Sequence, residues 1–479
     1  MVAEKVDKGT SKSKQATVLP SAMGMAATFD FVLVERYGEL LAAESKLRGE
    51  DVVGAPAMRV PGDFSQDPFL TGVIGKHIIM GIQATGAKAA AVEFPVGSGR
   101  DLRERDLIPY EMVVKDGQVA AVVSDEQIEP VLCDDWGFTG QLLTSDEVAR
   151  GAGDGGAIPG AHGAVARELA GRAITLLKND RALLPLDPAA AGQIVVMGVG
   201  RLATDVVAVP GGATAPYTVP PAEGMRDVLA ELGADSPVEV FEVLADASDV
   251  SNADAAVAAA VAAAREADTV VLIAGSLEGA EADAQHALIS DVLAANPRTL
   301  VVLKTTDPSH VPSIGGAHTV IECFAPGQED GHAVADALFG NVTPSGKLPA
   351  TYPAFPFGYG LSFTTFTLGD PEVTQDGRFV EVNVPVTNTG DRVGGEVPQV
   401  YADLPFDGQL LRRLVGFRRV EPAPGETEVA VIGIDADWPN HPFSIWDEEA
   451  QDWVEPEGDI TLHIGTSAED FRYTATVRL

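Results

Sequence analysis

From about residue 164 to residue 339, short runs of Val, Leu and Ile alternate with helical stretches, and this alternation limits the fold more than any other feature. The runs QIVVMGVG (193–200), DTVVLIAG (268–275) and TLVVLKT (299–305) are separated by the Ala-rich NADAAVAAAVAAAREA (252–267) and by a helical stretch around 284–295. Strands this apolar must be covered on both faces, so strands linked by such helices build a mostly parallel sheet between two helical layers. A helix over 164–179 is expected before the first of these strands, and a strand–helix pair over 318–339.

After Phe366 the period changes to two. RFVEVNVPVTNTG (378–390), EVPQVYADL (396–404), ITLHIGTS (460–467) and RYTATVRL (472–479) alternate apolar and polar residues and end in turn residues. Several such strands over about 110 residues point to an immunoglobulin- or fibronectin-like sandwich. Before residue 151 the pattern is mixed, with a helix over 31–47 and buried strands within GAKAAAVEF (86–94), QVAAVVS (118–124) and GQLLT (140–144). The Gly-rich GAGDGGAIPGAHG (151–163) reads as a linker. The expected organisation is a disordered arm (1–16), a first domain (17–150), an α/β domain (151–356), and a linker plus β-sandwich (357–479).

Charge narrows the partners. Lys plus Arg number 33 against 70 for Asp plus Glu, a formal net charge of −37. Nucleic acids and anionic membrane surfaces recruit proteins largely through Lys and Arg, so neither is expected as a partner. No run of about 18 apolar residues is present, and the polar start MVAEKVDKGTSKSKQ lacks a signal peptide's apolar core, so a cytoplasmic location is expected. Cys133 and Cys323 make no disulfide framework, and the 8 His residues show no metal-ligand spacing. GVGR (198–201) is too short for a dinucleotide fingerprint. No metal and no cofactor is expected.

VARELAGRAITLLKNDRALLPL (165–186), APGQEDGHAVADALFGNVTPSGKLPATYP (325–353) and VTNTGDRVGGEVPQVY (386–401) are long segments that resemble glycoside hydrolase family 3, the β-glucosidase-like family. VARELAGRAITLLKNDRALLPL (165–186) is similar to the opening of that family's second domain. APGQEDGHAVADALFGNVTPSGKLPATYP (325–353) and FGYGLSFTTF (357–366) match its later signature. VTNTGDRVGGEVPQVY (386–401), LVGFRRVEPAPGET (414–427) and IGTSAEDF (464–471) resemble its fibronectin-type domain. LPSAMGMAATFD (19–30), DFSQDPFLTGVIG (63–75), RDLRERDLIPYE (100–111) and CDDWGFTG (133–140) are similar to pieces of its (β/α)8 barrel. The barrel's first strand has no counterpart, and a complete barrel typically takes about 250 residues. The resemblance therefore implies an α/β plus all-β protein: the remnant of a (β/α)8 barrel, an α/β sandwich with a mostly parallel sheet, and a fibronectin type III-like β-sandwich. An open barrel exposes sheet edges, so either a rearranged, closed small sheet or a homodimer is expected to cover the gap.

The resemblance also implies where chemistry would sit. Retaining glycosidases need a carboxylate nucleophile and a carboxylic acid about 5–5.5 Å apart. The family's nucleophile strand end becomes GFTGQLLTSDEV, with Ser145 at the nucleophile position and Asp146 one residue late. One residue of offset turns a strand side chain to the other face. Either residue also suits a helix cap. The family's sugar-holding Lys-His pair becomes Val92 and Glu93, which removes two hydrogen-bond donors; Glu93 is either a new acid or base or a solvated strand-end carboxylate. Arg59 and Asp67 align with substrate-binding positions, but Gly62 replaces a glutamate, and Asp67 equally suits a helix start. The family's acid/base loop becomes GSLEGAEADAQHALI (275–289), with Glu278 and Glu281 as candidate acids, although their spacing also suits an exposed helical turn. PGGAT (210–214) resembles a Gly-rich loop near the family's site.

Three readings follow. The favoured one is a family member with a degenerate sugar-hydrolysing site, repurposed for a cyclase, isomerase or lyase type of step on a small natural-product intermediate. The others are an active retaining β-glycosidase with a trimmed barrel, and a non-catalytic binding or assembly protein. The partner in the first two is a small molecule.

Overall fold

The computed structural model describes residues 15–128, 130–150, 160–207, 214–244, 253–406 and 409–479. The first domain contains α1 (Ala22–Ala27), α2 (Phe31–Leu47), β1 (Val52–Ala57), α3 (Pro68–Ala84), β2 (Lys88–Val92), α4 (Ile108–Lys115), β3 (Ala121–Val123), β4 (Gln141–Leu143) and α5 (Ser145–Arg150). Its four strands pair in the order β1-β2-β3-β4, all parallel. This is an open sheet, so of the two expected ways of covering the gap the closed small sheet does not form: among the described residues β1 and β4 remain at opposite edges. In place of further strands, α5 folds back over the inner face. Val148 packs with Val52, Val92 and Leu143 on a small cluster of Ala90, Ala121 and Val123. A Cβ on Gly54 would lie 2.9 Å from a Val148 methyl, so α5 packs closely against β1 there.

On the other face, α2 and α3 cross at backbone contact. A Cβ on Gly38 would stand 2.2 Å from the Ile78 carbonyl oxygen, and one on Gly81 2.0 Å from that of Glu35. No side-chain rotation relieves a clash with backbone. Gly81→Ala is therefore expected to cost about 1–3 kcal/mol of stability, read as a lower urea midpoint.

The second domain has α6 (Ala161–Ala173), β5 (Thr175–Asn179), β6 (Ile194–Val199), α7 (Pro221–Glu231), β7 (Val238–Val243), α8 (Ala253–Glu266), β8 (Thr269–Gly275), α9 (Gly279–Ala295), β9 (Thr299–Lys304), β10 (Thr319–Glu322) and α10 (Asp330–Leu338). The sheet order is β5-β10-β9-β8-β6-β7, parallel except for β5 against β10. The helix expected over 164–179 stops at Ala173 because the apolar TLLKN run that follows pairs with β10 as an edge strand. Of the expected linker, residues 151–159 lie outside the described residues, whereas 161–163 already belong to α6. The expected arm is described only from Gln15, which bridges Thr214, and the Thr17 N–H donates to Glu44 at 3.0 Å.

The third domain is a β-sandwich of two antiparallel sheets. One pairs β13 (Phe379–Asn388) with β11 (Phe366–Leu368), β12 (Glu372–Asp376) and β16 (Thr427–Asp435). The other runs β15 (Gln409–Phe417), β14 (Gln399–Phe406), β19 (Ile460–Gly465), β20 (Phe471–Val477). Alternate residues of β13, Val380 to Val386, are fully buried between the sheets. The three domains share cores: Phe357, Tyr401, Leu414 and Phe417 pack into the first domain's cluster, and Met23 and Ala27 into the second's. No helix among the described residues is long and apolar enough to cross a membrane.

Candidate functional site

The open parallel sheet presents the C-terminal ends of its strands together. Arg59 follows β1 and Glu93 follows β2, and because Ala57 pairs with Val92 the two side chains meet, Nε to Oε2 at 3.1 Å. Arg59 also donates to Asp63, with Nη2 2.8 Å from Oδ1. Glu93 holds φ at 59°, unusual for a residue with a side chain. The buried Tyr110 fixes that backbone, its hydroxyl donating to the Val92 and Glu93 carbonyls at 2.8 and 2.9 Å. Glu93 is thus tied to a cation, its side chain 53% exposed, at the edge of the sheet.

Asp146 does not sit on a strand end. β4 stops at Leu143, and Thr144 with Glu147 forms a capping box: Thr144 N–H donates to Glu147 Oε2 at 2.8 Å, and Glu147 N–H to Thr144 Oγ1 at 3.4 Å. Asp146 is therefore a first-turn residue of α5, exposed to solvent, where the helix dipole favours an acid. Ser145 turns to β3, donating from N–H and Oγ to Asp125 at 3.0 and 2.7 Å. These two hydrogen bonds hold the Asp125 carboxyl below the usual range.

Asp67 caps α3, accepting from the Leu70 N–H at 2.8 Å. Desolvation pushes its carboxyl up to about 6, against the opposing pull of helix N–H groups and Arg413. An acid whose folded pKa exceeds its unfolded value carries no penalty below the unfolded value. It then loses stability as pH rises from about 4 to about 6, and the loss is constant above that. Asp67→Asn keeps the cap, so it is expected to stabilise by about 1–2 kcal/mol at pH 7.5 and by nothing at pH 4, read as melting-temperature differences.

A second polar group lies at the C-terminal ends of β8 and β9. Glu278 precedes α9, and its Oε1 lies 3.3 Å from His310 Nε2. His310 Nδ1 is 3.1 Å from Asp307 Oδ2, and Ser309 Oγ donates to Asp307 Oδ1 at 2.7 Å. Hydrogen bonds from the Ser309 side chain and N–H, with His310 beside them, hold the Asp307 carboxyl below its usual range. Glu278, its side chain 78% exposed, and His310 line the wall of a cavity of about 460 Å³ formed entirely by second-domain residues, and Asp307 holds His310 from beside it. Glu281, one turn into α9, faces the turn at Gly200 instead, so the two candidate acids have different surroundings. Sequence reasoning missed Asp307 and His310; the only signal was their place after a strand of a parallel sheet, where ligands commonly bind. Residues 210–213 of the Gly-rich loop lie outside the described residues. Among the described residues, no three His, Cys, Asp or Glu side chains are arranged to hold a metal ion.

Residues 174–391 match the glycosyl hydrolase family 3 C-terminal domain, and 396–468 the fibronectin type III-like domain. An exo-alpha-(1->6)-L-arabinopyranosidase of Bifidobacterium breve is 26% identical, covering 98% of this chain and 80% of its own length. That alignment spans 619 positions against a chain of 479 residues, so at least 140 of them have no residue here. A beta-glucosidase of Rhizobium radiobacter is 31% identical over 47% of this chain and 34% of its own length. Among solved structures, the Bifidobacterium adolescentis beta-glucosidase superposes with a TM-score of 0.82 at 24% identity, covering 97% of this chain and 88% of that one. DesR, a beta-glucosidase of Streptomyces venezuelae, gives 0.83 at 21% identity, covering 97% and 92%. At these identities the structural likeness establishes the fold. The chain belongs to glycosyl hydrolase family 3.

Proposed function

We propose that this chain acts on a small glycoside-like molecule without the retaining double displacement, using Glu278 as acid or base in a step of the isomerase, cyclase or lyase type. The observation that carries this reading is the open four-strand sheet, in which Asp146 belongs to a capped helix and Glu93 to an ion pair with Arg59. A retaining pair needs two carboxylates held about 5–5.5 Å apart around the sugar. Glu278 and His310 line a cavity, with Asp307 against the far ring nitrogen of His310, and proton transfer needs a positioned group of this kind. Incubation with aryl glycosides and keto-sugars in deuterium oxide tests it. Deuterium uptake that depends on Glu278, without aglycone release, is expected. Aglycone release lost in Asp146→Ala would contradict the reading.

The second reading is residual hydrolysis with Asp146 as nucleophile. The glycosidase names of relatives aligned over nearly the whole chain favour it.

A further inference from the structure

The connection from β9 to β10 holds one short turn, Pro308–His310, where a parallel crossover ordinarily carries a full helix. The sheet face covered by α8 and α9 therefore loses its helical cover towards β10 and β5. What lies there is a cavity of about 380 Å³, walled by Val311 and Ile314 of the connection, Tyr352 and Phe355, His286 of α9, and Lys178 of β5. The Phe355 ring is backed by Tyr359, with centroids 5.3 Å apart. Tyr352 is held from behind, its hydroxyl donating to the buried Glu322 at 3.0 Å. The aromatic wall is thus rigid.

Lys178 is the unusual member. Its Nζ lies 6.0 Å from the Phe355 ring centroid and 3.5 Å from the Ala317 carbonyl oxygen. Lys76, Lys115, Lys304 and Lys347 each pair with a carboxylate, but among the described residues none lies within 4.0 Å of Lys178. In a chain with 70 acidic residues, a half-buried ammonium without one is a local positive site on an apolar wall. The net charge of −37 acts at long range and is screened over about 8–10 Å, so the nearby ammonium decides which ligands are favoured.

We propose that this cavity binds an aromatic carboxylate, its ring against Phe355 and Tyr352 and its anionic group at Lys178. A mostly apolar, concave pocket with one placed charge has the character of a small-molecule site. Its volume holds a one- or two-ring acid. It also shares His286, Val311 and Pro312 with the cavity that Glu278 and His310 line, so the two adjoin. An aryl acid carrying a sugar-like group reaches from one into the other. That extension rests on the reading of Glu278 given above, whereas binding of the aromatic acid does not.

Titration calorimetry of the full chain with three probes tests the proposal: 4-hydroxybenzoate, the neutral 4-hydroxybenzyl alcohol, and 4-carboxyphenyl β-D-glucopyranoside. The acid is expected to bind about tenfold or more tightly than the alcohol, as a desolvated charge pair allows. Lys178→Met removes that preference, Lys178→Arg keeps it, and Ala354→Trp at the cavity wall abolishes binding of both. Glucoside tighter than free acid identifies an aglycone; the reverse order identifies a free acid ligand. Equal affinity for acid and alcohol, or a preference that survives Lys178→Met, overturns the site. Because no turnover is measured, failure of the catalytic reading leaves this result intact, and the reverse holds too.

Discussion

Lys304→Met is expected to destabilise the second domain by about 3–5 kcal/mol, since removing one member of a buried ion pair leaves the other charge uncompensated. Lys304 and Asp330 are fully buried, with Nζ 2.6 Å from Oδ2. The same Oδ2 accepts from the Val207 N–H at 3.1 Å, while Oδ1 has no partner among the described residues. Burial raises the Asp330 carboxyl, and Lys304 is the principal opposing influence. The loss should be read by urea unfolding at pH 7, and the double variant Lys304→Met/Asp330→Leu should recover most of it. An undiminished midpoint in the single variant would show that the pair contributes no net stability. The effect reaches the site, because Lys304 ends β9 and the next residues carry Asp307 and His310. Thr305 is pinned there through its N–H to Glu322 at 3.1 Å, and its hydroxyl also donates to Glu322.

The second large effect concerns the proposed acid–base group. Glu278→Gln is expected to lower conversion of the chain's substrate by about 10²–10⁴-fold, the usual contribution of a positioned general acid or base. His310→Ala should cost less, because His310 holds Glu278 and contacts the cavity beside it. Asp146→Ala should leave conversion within about twofold, since Asp146 is an exposed first-turn residue of α5 outside the cavity that Glu278 lines. Single-turnover rates for the three variants decide the matter. Equal losses for Asp146→Ala and Glu278→Gln would mean that the two carboxylates act as a pair.

Much of the architecture was legible where one period dominates. The helix over 31–47 and the strands within 268–275, 299–305 and 379–388 emerge directly from apolar spacing. β1 was not, because VVGAPA interrupts its apolar residues with Gly and Pro. The boundary of β5 was not, because TLLKN is apolar without alternation: a helix over 164–179 and a helix running into a strand within 165–186 both fit it, and the antiparallel pairing with β10 decides for the strand. The site was legible in pieces. Glu93, Arg59, Ser145 and Asp146 were each identifiable, but their partners follow from strand register and helix capping, which one-dimensional spacing does not carry. Glu278 was visible, while His310, 32 positions on, meets it only because β8 and β9 are neighbours.

A covalent nucleophile in the first domain would leave a trappable intermediate, whereas the proposed acid–base step at Glu278 leaves none. Retaining glycosidases form a glycosyl–enzyme ester, which slow fluorinated sugars trap. Intact-protein mass spectrometry after incubation with 2-deoxy-2-fluoro-β-D-glucosyl fluoride and the corresponding arabinopyranosyl fluoride reads this directly. An unchanged mass is expected in the wild type and in Glu278→Gln. One added sugar, mapped by peptide analysis to Asp146, would contradict the proposed step.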